Sequence, residues 1–422
     1  RMLLSKDTLL AIEVADSAFV TNVMKECGDD INKHFANKKL DVLGRKISTN
    51  NKSPDELTLL EPELMDSTQK ARMEQFQKIL FYYKYQLSLN EGNGEEDHIR
   101  FIGSQLYNYL FGAIEDQIAD KEELIIIPDG LLGYIPFDAL IMPDGRYLCE
   151  KYRIHYTQSL AISELIKNRK YGRYSNELFA VGGAVYDAAT YAKSVVKSKR
   201  QIEGIRKQLS RGYGNMNEHY QRLGYMKWNN LPGSIAEVDL LDSMYNRQCL
   251  ILKGNEATET RIKQLSEQGA LRKYRVLHFS VHGLAVAEIP EMSALVFSQS
   301  SDTINDGYLQ FREIVDLDIC PEFVFMSACE TGLGRIYNGE GVVNLTQAFL
   351  IAGARGLSAT LWKVDDRSKT IFTTAVYIKV KEQRMSWSEA VRTTKLEFIK
   401  GDKYGNDYTH PYYWAPFVYY GE

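Results

Sequence analysis

No hydrophobic run in this chain approaches the roughly 20 residues that a bilayer-spanning helix requires. The longest apolar stretches, residues 124–127 and 345–354, are far shorter. Residues 1–10 do not read as a secretory leader: they carry Lys6 and Asp7, with no long apolar core and no small-residue cleavage site. Cysteine is scarce. Five cysteines, Cys27, Cys149, Cys249, Cys320 and Cys329, are an odd number spread thinly over 422 residues, which excludes a disulfide framework and leads to the expectation of a reducing, cytoplasmic setting with free thiols. With only 10 prolines and 30 glycines, collagen-like and low-complexity architectures are excluded. Nor does one sign of charge dominate. The 51 Lys+Arg against 55 Asp+Glu leave no basic surplus to neutralise phosphates, so neither a nucleic-acid partner nor a membrane is expected.

What is present is an ordinary globular composition, 44% hydrophobic, in a chain long enough for two to three folding units at roughly 150 residues each. Because it opens on Arg1, the chain is read as a piece of a longer protein. Residues 1–119 have a helical texture from Lys6 onward, broken by polar stretches at 48–54 and 90–97. A worn helical repeat fits this part, although no fixed period is visible.

From residue 120 the texture changes. Short apolar runs at 124–128, 178–182, 249–252, 275–281, 323–327 and 356–361 read as strands. Between them, 234–245, 257–268, 341–352, 368–380 and 386–399 read as helices. Strands alternating with helices imply an α/β fold with a mainly parallel sheet. The interval 187–230 interrupts the rhythm with nine Lys/Arg against three acids and is read as a solvated basic insertion.

Parallel sheets present reactive groups beyond the carboxyl ends of their strands. Two such ends are notable here. Arg275-Val-Leu-His-Phe-Ser-Val-His282-Gly283 ends in histidine and glycine, and Phe323-Val-Phe-Met-Ser-Ala-Cys329-Glu330 ends in cysteine. A thiol is mostly protonated at neutral pH and needs a nearby base to become a nucleophile. Imidazole can take that proton and later protonate a leaving amine. The backbone amides of Gly283 and Cys329 are placed to donate to a developing oxyanion. The same residues also read as a packed strand-end cysteine and a hydrogen-bonded core histidine, and spacing alone leaves both readings open.

No metal or other cofactor is expected. His278 and His282 are four apart, but Val276, Leu277, Phe279 and Val281 favour a strand, in which four residues span about 13 Å, too far for two imidazoles on one zinc. Gly182-Gly183 lacks the remainder of a phosphate loop and reads as a tight turn.

The chain from about residue 120 onward resembles the CHAT family, caspase-like peptidases found beside tetratricopeptide repeats and related to separase. The resemblance is carried by Pro128-Asp-Gly-Leu-Leu-Gly-Tyr-Ile-Pro-Phe-Asp-Ala-Leu140, Leu231-Pro-Gly-Ser-Ile-Ala-Glu-Val238, Leu277-His-Phe-Ser-Val-His-Gly283, Met326-Ser-Ala-Cys-Glu-Thr-Gly332, Leu361-Trp-Lys-Val-Asp-Asp366 and the ending His410-Pro-Tyr-Tyr-Trp-Ala-Pro-Phe417. It implies a caspase-like α/β domain over 120–422 and a cysteine endopeptidase with Cys329 as nucleophile and His282 as its partner. By analogy with caspase relatives, Glu330, Trp362, Lys363 and Asp365 become candidates for the substrate cleft, while Trp362 equally suits the core and Asp365 equally suits a helix cap. Only residues 333–340 separate the cysteine loop from the next expected helix, which leaves no room for a long processed linker. Control by an activating protein, or by a helical-repeat regulator, is expected instead. Relatives in bacteria accompany defence or death-like modules, so the implied role is a regulated effector acting on a protein substrate. The other reading is a catalytically silent scaffold that keeps the fold and works through protein contacts.

Overall fold

The computed structural model describes residues 17–38, 67–89, 96–128, 130–186, 220, 228, 230–246, 248–284, 286, 289–299, 301–327, 335–337, 341–343 and 345–421. The polar break at 48–54, most of the one at 90–97, most of the basic insertion at 187–230, and Cys329 and Glu330 lie outside the described residues. The chain divides into two compact units. The first comprises residues 1–156, 336–341 and 391–416, and the second comprises 157–335, 342–390 and 417–422.

Within the first unit, helices α1 (Ser17–Lys38), α2 (Ser67–Leu87) and α3 (Glu96–Phe111) precede a parallel pair of strands, β1 (Glu123–Ile126) and β2 (Arg153–Tyr156). The helical reading of the N-terminal region is thus the one observed for its described residues. Expected loop residue Asp97 instead sits in the first turn of α3, where a carboxylate complements the positive end of the helix dipole. The Pro128–Leu140 motif folds as two 3-10 turns and buries Asp138. Its carboxylate takes hydrogen bonds from Lys395 Nζ at 2.6 Å and Tyr156 Oη at 2.9 Å, and the Tyr156 hydroxyl accepts from the Phe137 amide at 2.7 Å. Tyr83 Oη donates to the Ala139 carbonyl at 2.8 Å, tying α2 to the same turn. The motif is therefore held by a buried ion pair.

The second unit runs through α4 (Leu160–Asn168), β3 (Asn176–Ala184), α5 (Pro232–Tyr245), β4 (Cys249–Gly254), α6 (Glu259–Glu267), β5 (Tyr274–Ser280), β6 (His282–Leu284), β7 (Ala294–Val296), β8 (Tyr308–Gln310), α7 (Phe311–Val315), β9 (Phe323–Met326), the first residue of β10 (Arg335–Tyr337), the last two of β11 (Gly341–Val343), α8 (Leu345–Ala352), β12 (Gly356–Thr360), α9 (Asp366–Gln383), the start of α10 (Trp387–Lys400) and β13 (Phe417–Gly421). Its sheet has the order β13-β12-β9-β5-β3-β4. All neighbours in it are parallel except β13, which pairs antiparallel with β12. The expected α/β class, a mainly parallel sheet with flanking helices, is observed. β5 and β9 are buried along almost their whole length, which explains why they read as continuous apolar runs.

The sheet core is aromatic. Phe323 stacks on Trp387 with ring centroids 4.1 Å apart, and Phe372 on Phe417 at 3.9 Å. Gly182 and Gly183 do not form the expected tight turn; they lie at the end of β3 under α5. A Cβ on Gly182 would come within 2.8 Å of the Ser234 carbonyl, and the Gly183 amide donates to Ser234 Oγ at 2.8 Å. Glycine is required here because the helix backbone approaches the strand too closely for a side chain. The helix expected from Gly341 begins only at Leu345, because Gly341, Val342 and Val343 form a strand, as β-branched residues favour.

Candidate active site

The C-terminal ends of β5, β9 and β12 lie along one edge of the parallel sheet. Register fixes how these ends align: Phe279 pairs with Met326, and Ser358 with Phe325. One further ladder bond, from the Ser327 amide to the Phe279 carbonyl at 2.9 Å, extends the β5–β9 pair. On one side Val281 makes a bend and His282 opens β6; on the other, Cys329 follows two residues after Ser327 in the sequence.

His282 is half-buried, and an aromatic frame holds it. Its ring lies 4.8 Å from that of Tyr186 and 4.9 Å from that of Trp228. The His282 amide donates to Tyr186 Oη at 3.2 Å, and that hydroxyl donates to the Val296 carbonyl at 2.9 Å. Because His282 is the register partner of Val296, the tyrosine hydroxyl bridges the β6–β7 ladder at the histidine itself. Burial pushes the Tyr186 hydroxyl well above the usual phenol range, so it stays a proton donor. Trp228 Nε1 donates to Tyr308 Oη at 3.1 Å, and Tyr220 stacks on Tyr308 at 4.0 Å while donating to the Met292 carbonyl at 2.8 Å. Tyr220 and Trp228, two described residues of the basic interval, thus pack as aromatic anchors, whereas Asn230, also described, is exposed. Gly283, the expected oxyanion residue of this strand, pairs with Leu295.

Beneath the strand ends lies a buried polar cluster. Glu237, from α5, accepts through Oε2 from Ser280 Oγ at 2.6 Å and from Ser327 Oγ at 2.9 Å. Its Oε1 faces His278 Nε2 at 3.5 Å, and Lys369 Nζ stands 3.9 Å from Oε2. His278 Nδ1 lies 3.1 Å from Tyr377 Oη, and Lys369 Nζ donates to the Ser327 carbonyl at 3.4 Å. His278, expected as a core or supporting residue, is fully buried in this cluster. Burial drives the Glu237 carboxyl upward, but the imidazole of His278 facing it, the charge of Lys369 and the Ser280 hydroxyl outweigh it and bring its pKa down to about 2.

A carboxyl with a folded pKa below its unfolded one stabilises the fold above the unfolded value and loses that contribution as pH falls toward the folded value. Between pH 5 and pH 2 the wild type should therefore lose on the order of 3 kcal/mol that a Glu237→Gln variant lacks throughout. Urea unfolding of both proteins across that range checks this: the stabilities are expected to converge at acid pH, and a constant gap would contradict the assignment.

The remaining expected cleft residues sit at the end of β12. Trp362 is buried and Lys363 is exposed. Asp365 caps α9, its Oδ1 accepting from the Arg367 amide at 3.1 Å and the Ser368 amide at 3.0 Å. The capping reading of Asp365 is thus realised in the structure. Tyr186, Trp228, Glu237, Ser280, Ser327 and Lys369 were not legible as site residues, with one partial signal: serine stands two positions before both His282 and Cys329.

The family model of the CHAT domain matches residues 100–422. This chain belongs to the CHAT family. Among curated proteins it is similar to tetratricopeptide repeat protein 28 of Mus musculus, with 22% identity over 356 residues, and to that of Homo sapiens, with 22% over 355. Each alignment covers 75% of this chain but only 13% of the relative, so the chain corresponds to a small part of those proteins. Among solved structures, the chain is similar to separase in the Saccharomyces cerevisiae separase-securin complex, with 15% identity and a TM-score of 0.39 over 98% of this chain and 23% of that one. It is also similar to the Arg specific cysteine proteinase gingipain R, with 9% identity and a TM-score of 0.41 over 82% of this chain and 74% of that one. No helix among the described residues is long and apolar enough to cross a membrane.

Proposed function

We propose that this CHAT protein is a cysteine endopeptidase that cuts specific protein substrates, with Cys329 as nucleophile and His282 as general base. The reading is carried by one observation: β5 and β9 are adjacent and in parallel register up to Phe279 and Met326, so the strand leading to His282 and the strand leading toward Cys329 end side by side. In the proposed reaction the imidazole takes the Sγ proton and the thiolate bonds to the scissile carbonyl carbon, while the Gly283 and Cys329 amides stabilise the oxyanion. The carbon–nitrogen bond then breaks as the imidazolium protonates the leaving amine. Water, deprotonated by the imidazole, hydrolyses the thioester and restores the thiol.

In this reading Glu330, Trp362 and Lys363 line the substrate cleft beside Asp365, and residues 1–119 form a helical region preceding the peptidase domain at 120–422. The protein acts as a regulated cytoplasmic effector of a defence or death-like module, switched by an activating protein or by helical repeats. A scaffold without activity is the second reading, favoured by relatives that are named for their repeats. A proteome-wide search for new N-termini after adding wild type or Cys329→Ala separates the two. The peptidase yields a defined set of new termini with wild type alone, whereas identical profiles for both proteins would favour the scaffold.

A further inference from the structure

Glu237, Ser280, Ser327 and Lys369 have no part in the proposed bond-making steps, yet they form a buried cluster directly under the two strands that carry them. A single carboxylate oxygen accepts hydrogen bonds from one serine on each strand: Ser280 Oγ on β5 at 2.6 Å and Ser327 Oγ, just past β9, at 2.9 Å. Each serine stands two residues before the group proposed to react, Ser280 before His282 and Ser327 before Cys329. Among the described residues, the last ladder bond between the strands is the one from the Ser327 amide to the Phe279 carbonyl. The carboxylate is a second tie that spans the pair beside that bond. From α9, Lys369 grips the same place by donating to the Ser327 carbonyl at 3.4 Å.

We infer that Glu237 is a positioning residue for the proposed dyad: by binding Ser280 and Ser327 through one oxygen, it locks the relative advance of the two strand ends and so sets the spacing between imidazole and thiol. This inference rests on the peptidase reading. A buried, ion-paired carboxylate is a poor way to gain stability, since apolar residues of similar volume often do as well or better. Its geometric value is different. A slip of about 1 Å between reacting groups can lower a rate by about 100-fold, and two charge-assisted hydrogen bonds to a shared acceptor oppose such a slip. Among the described residues, the titratable and charged groups facing Glu237 are His278 from β5 and Lys369 and Tyr377 from α9, with Asp366 ion-paired to Lys369 at 3.8 Å.

The test is the pH dependence of iodoacetamide alkylation at Cys329, followed by peptide mapping from pH 5 to 9 on the full chain. Wild type, Glu237→Gln, Ser280→Ala, Ser327→Ala and the double serine variant are compared. A positioned dyad gives wild-type alkylation at pH 6 well above that of an ordinary thiol. Glu237→Gln and the double serine variant are expected to lose about ten-fold or more of it, their profiles reverting to a single rise near the ordinary thiol value of about 8.5. Each single serine variant is expected to lose less. Should Glu237→Gln fail to fold, the double serine variant decides the matter, because it leaves the carboxylate and its ion pairs in place. Folded variants that keep the wild-type profile would overturn the clamp and leave the dyad standing. An ordinary thiol profile in the wild type itself would overturn the dyad, and the clamp with it.

Discussion

Cys329→Ala and His282→Ala are each expected to lower the cleavage rate on an identified substrate by at least about 1,000-fold, and the double variant should be little worse than either single one. Non-additivity is the informative part. A nucleophile without its base and a base without its nucleophile are equally idle, so losses within one catalytic unit do not multiply. Stability should barely respond to Cys329→Ala. Thermal unfolding of His282→Ala should shift modestly, since the ring is half-buried between Tyr186 and Trp228. Initial rates on one substrate, with thermal unfolding as the fold control, check all of this. Wild-type turnover in a folded Cys329→Ala protein would contradict the nucleophile assignment.

The second large effect concerns the fold. Lys395 and Asp138 form a 2.6 Å pair whose side chains are only 2% and 7% exposed. Removing the lysine alone leaves a buried carboxylate with, among the described residues, the Tyr156 hydroxyl as its remaining side-chain donor. Lys395→Met should therefore destabilise the protein by about 3–5 kcal/mol. Replacing both partners, Lys395→Met with Asp138→Leu, should cost clearly less, because no unpaired charge remains. Urea midpoints of the single and double variants measure the difference. An equal or larger loss in the double variant would show that the pair contributes by its geometry and not by charge compensation.

The parts of the fold legible in the sequence were those whose burial is uniform. β5 and β9 are flanked by strands and covered on both faces, so Val276-Leu-His-Phe279 and Phe323-Val-Phe-Met326 announce themselves as apolar runs. β2, with Arg153 and His155 among its four residues, lacks such a run. The small antiparallel sheet β6-β7-β8 consists of three-residue strands, too short for any period to show. β13 reads as the tail of an aromatic cluster, and its strand character comes from antiparallel pairing with β12 across a long sequence gap.

The same physics divides the site. His282 and Cys329 stand out because each interrupts an apolar strand at its end. Tyr186 is 96 residues from the histidine it supports, and no local pattern joins them. Trp228 and Tyr220 fall in an interval whose nine basic residues suggest a solvated surface, and their tertiary packing overrides that composition. Glu237 lies within a recognised motif, but a carboxylate on an amphipathic helix reads as solvent-facing until its serine partners on β5 and β9 are known.

The account rests on electrostatic coupling between one imidazole and one thiol, and that coupling can be measured without any substrate. An NMR titration of the seven histidines, with His282 assigned through His282→Gln, gives its protonation midpoint in the wild type and in Cys329→Ala. A thiolate beside the ring favours imidazolium, so the midpoint should fall by more than about one pH unit when the sulfur is removed. An unchanged His282 midpoint in a folded Cys329→Ala protein would contradict the dyad.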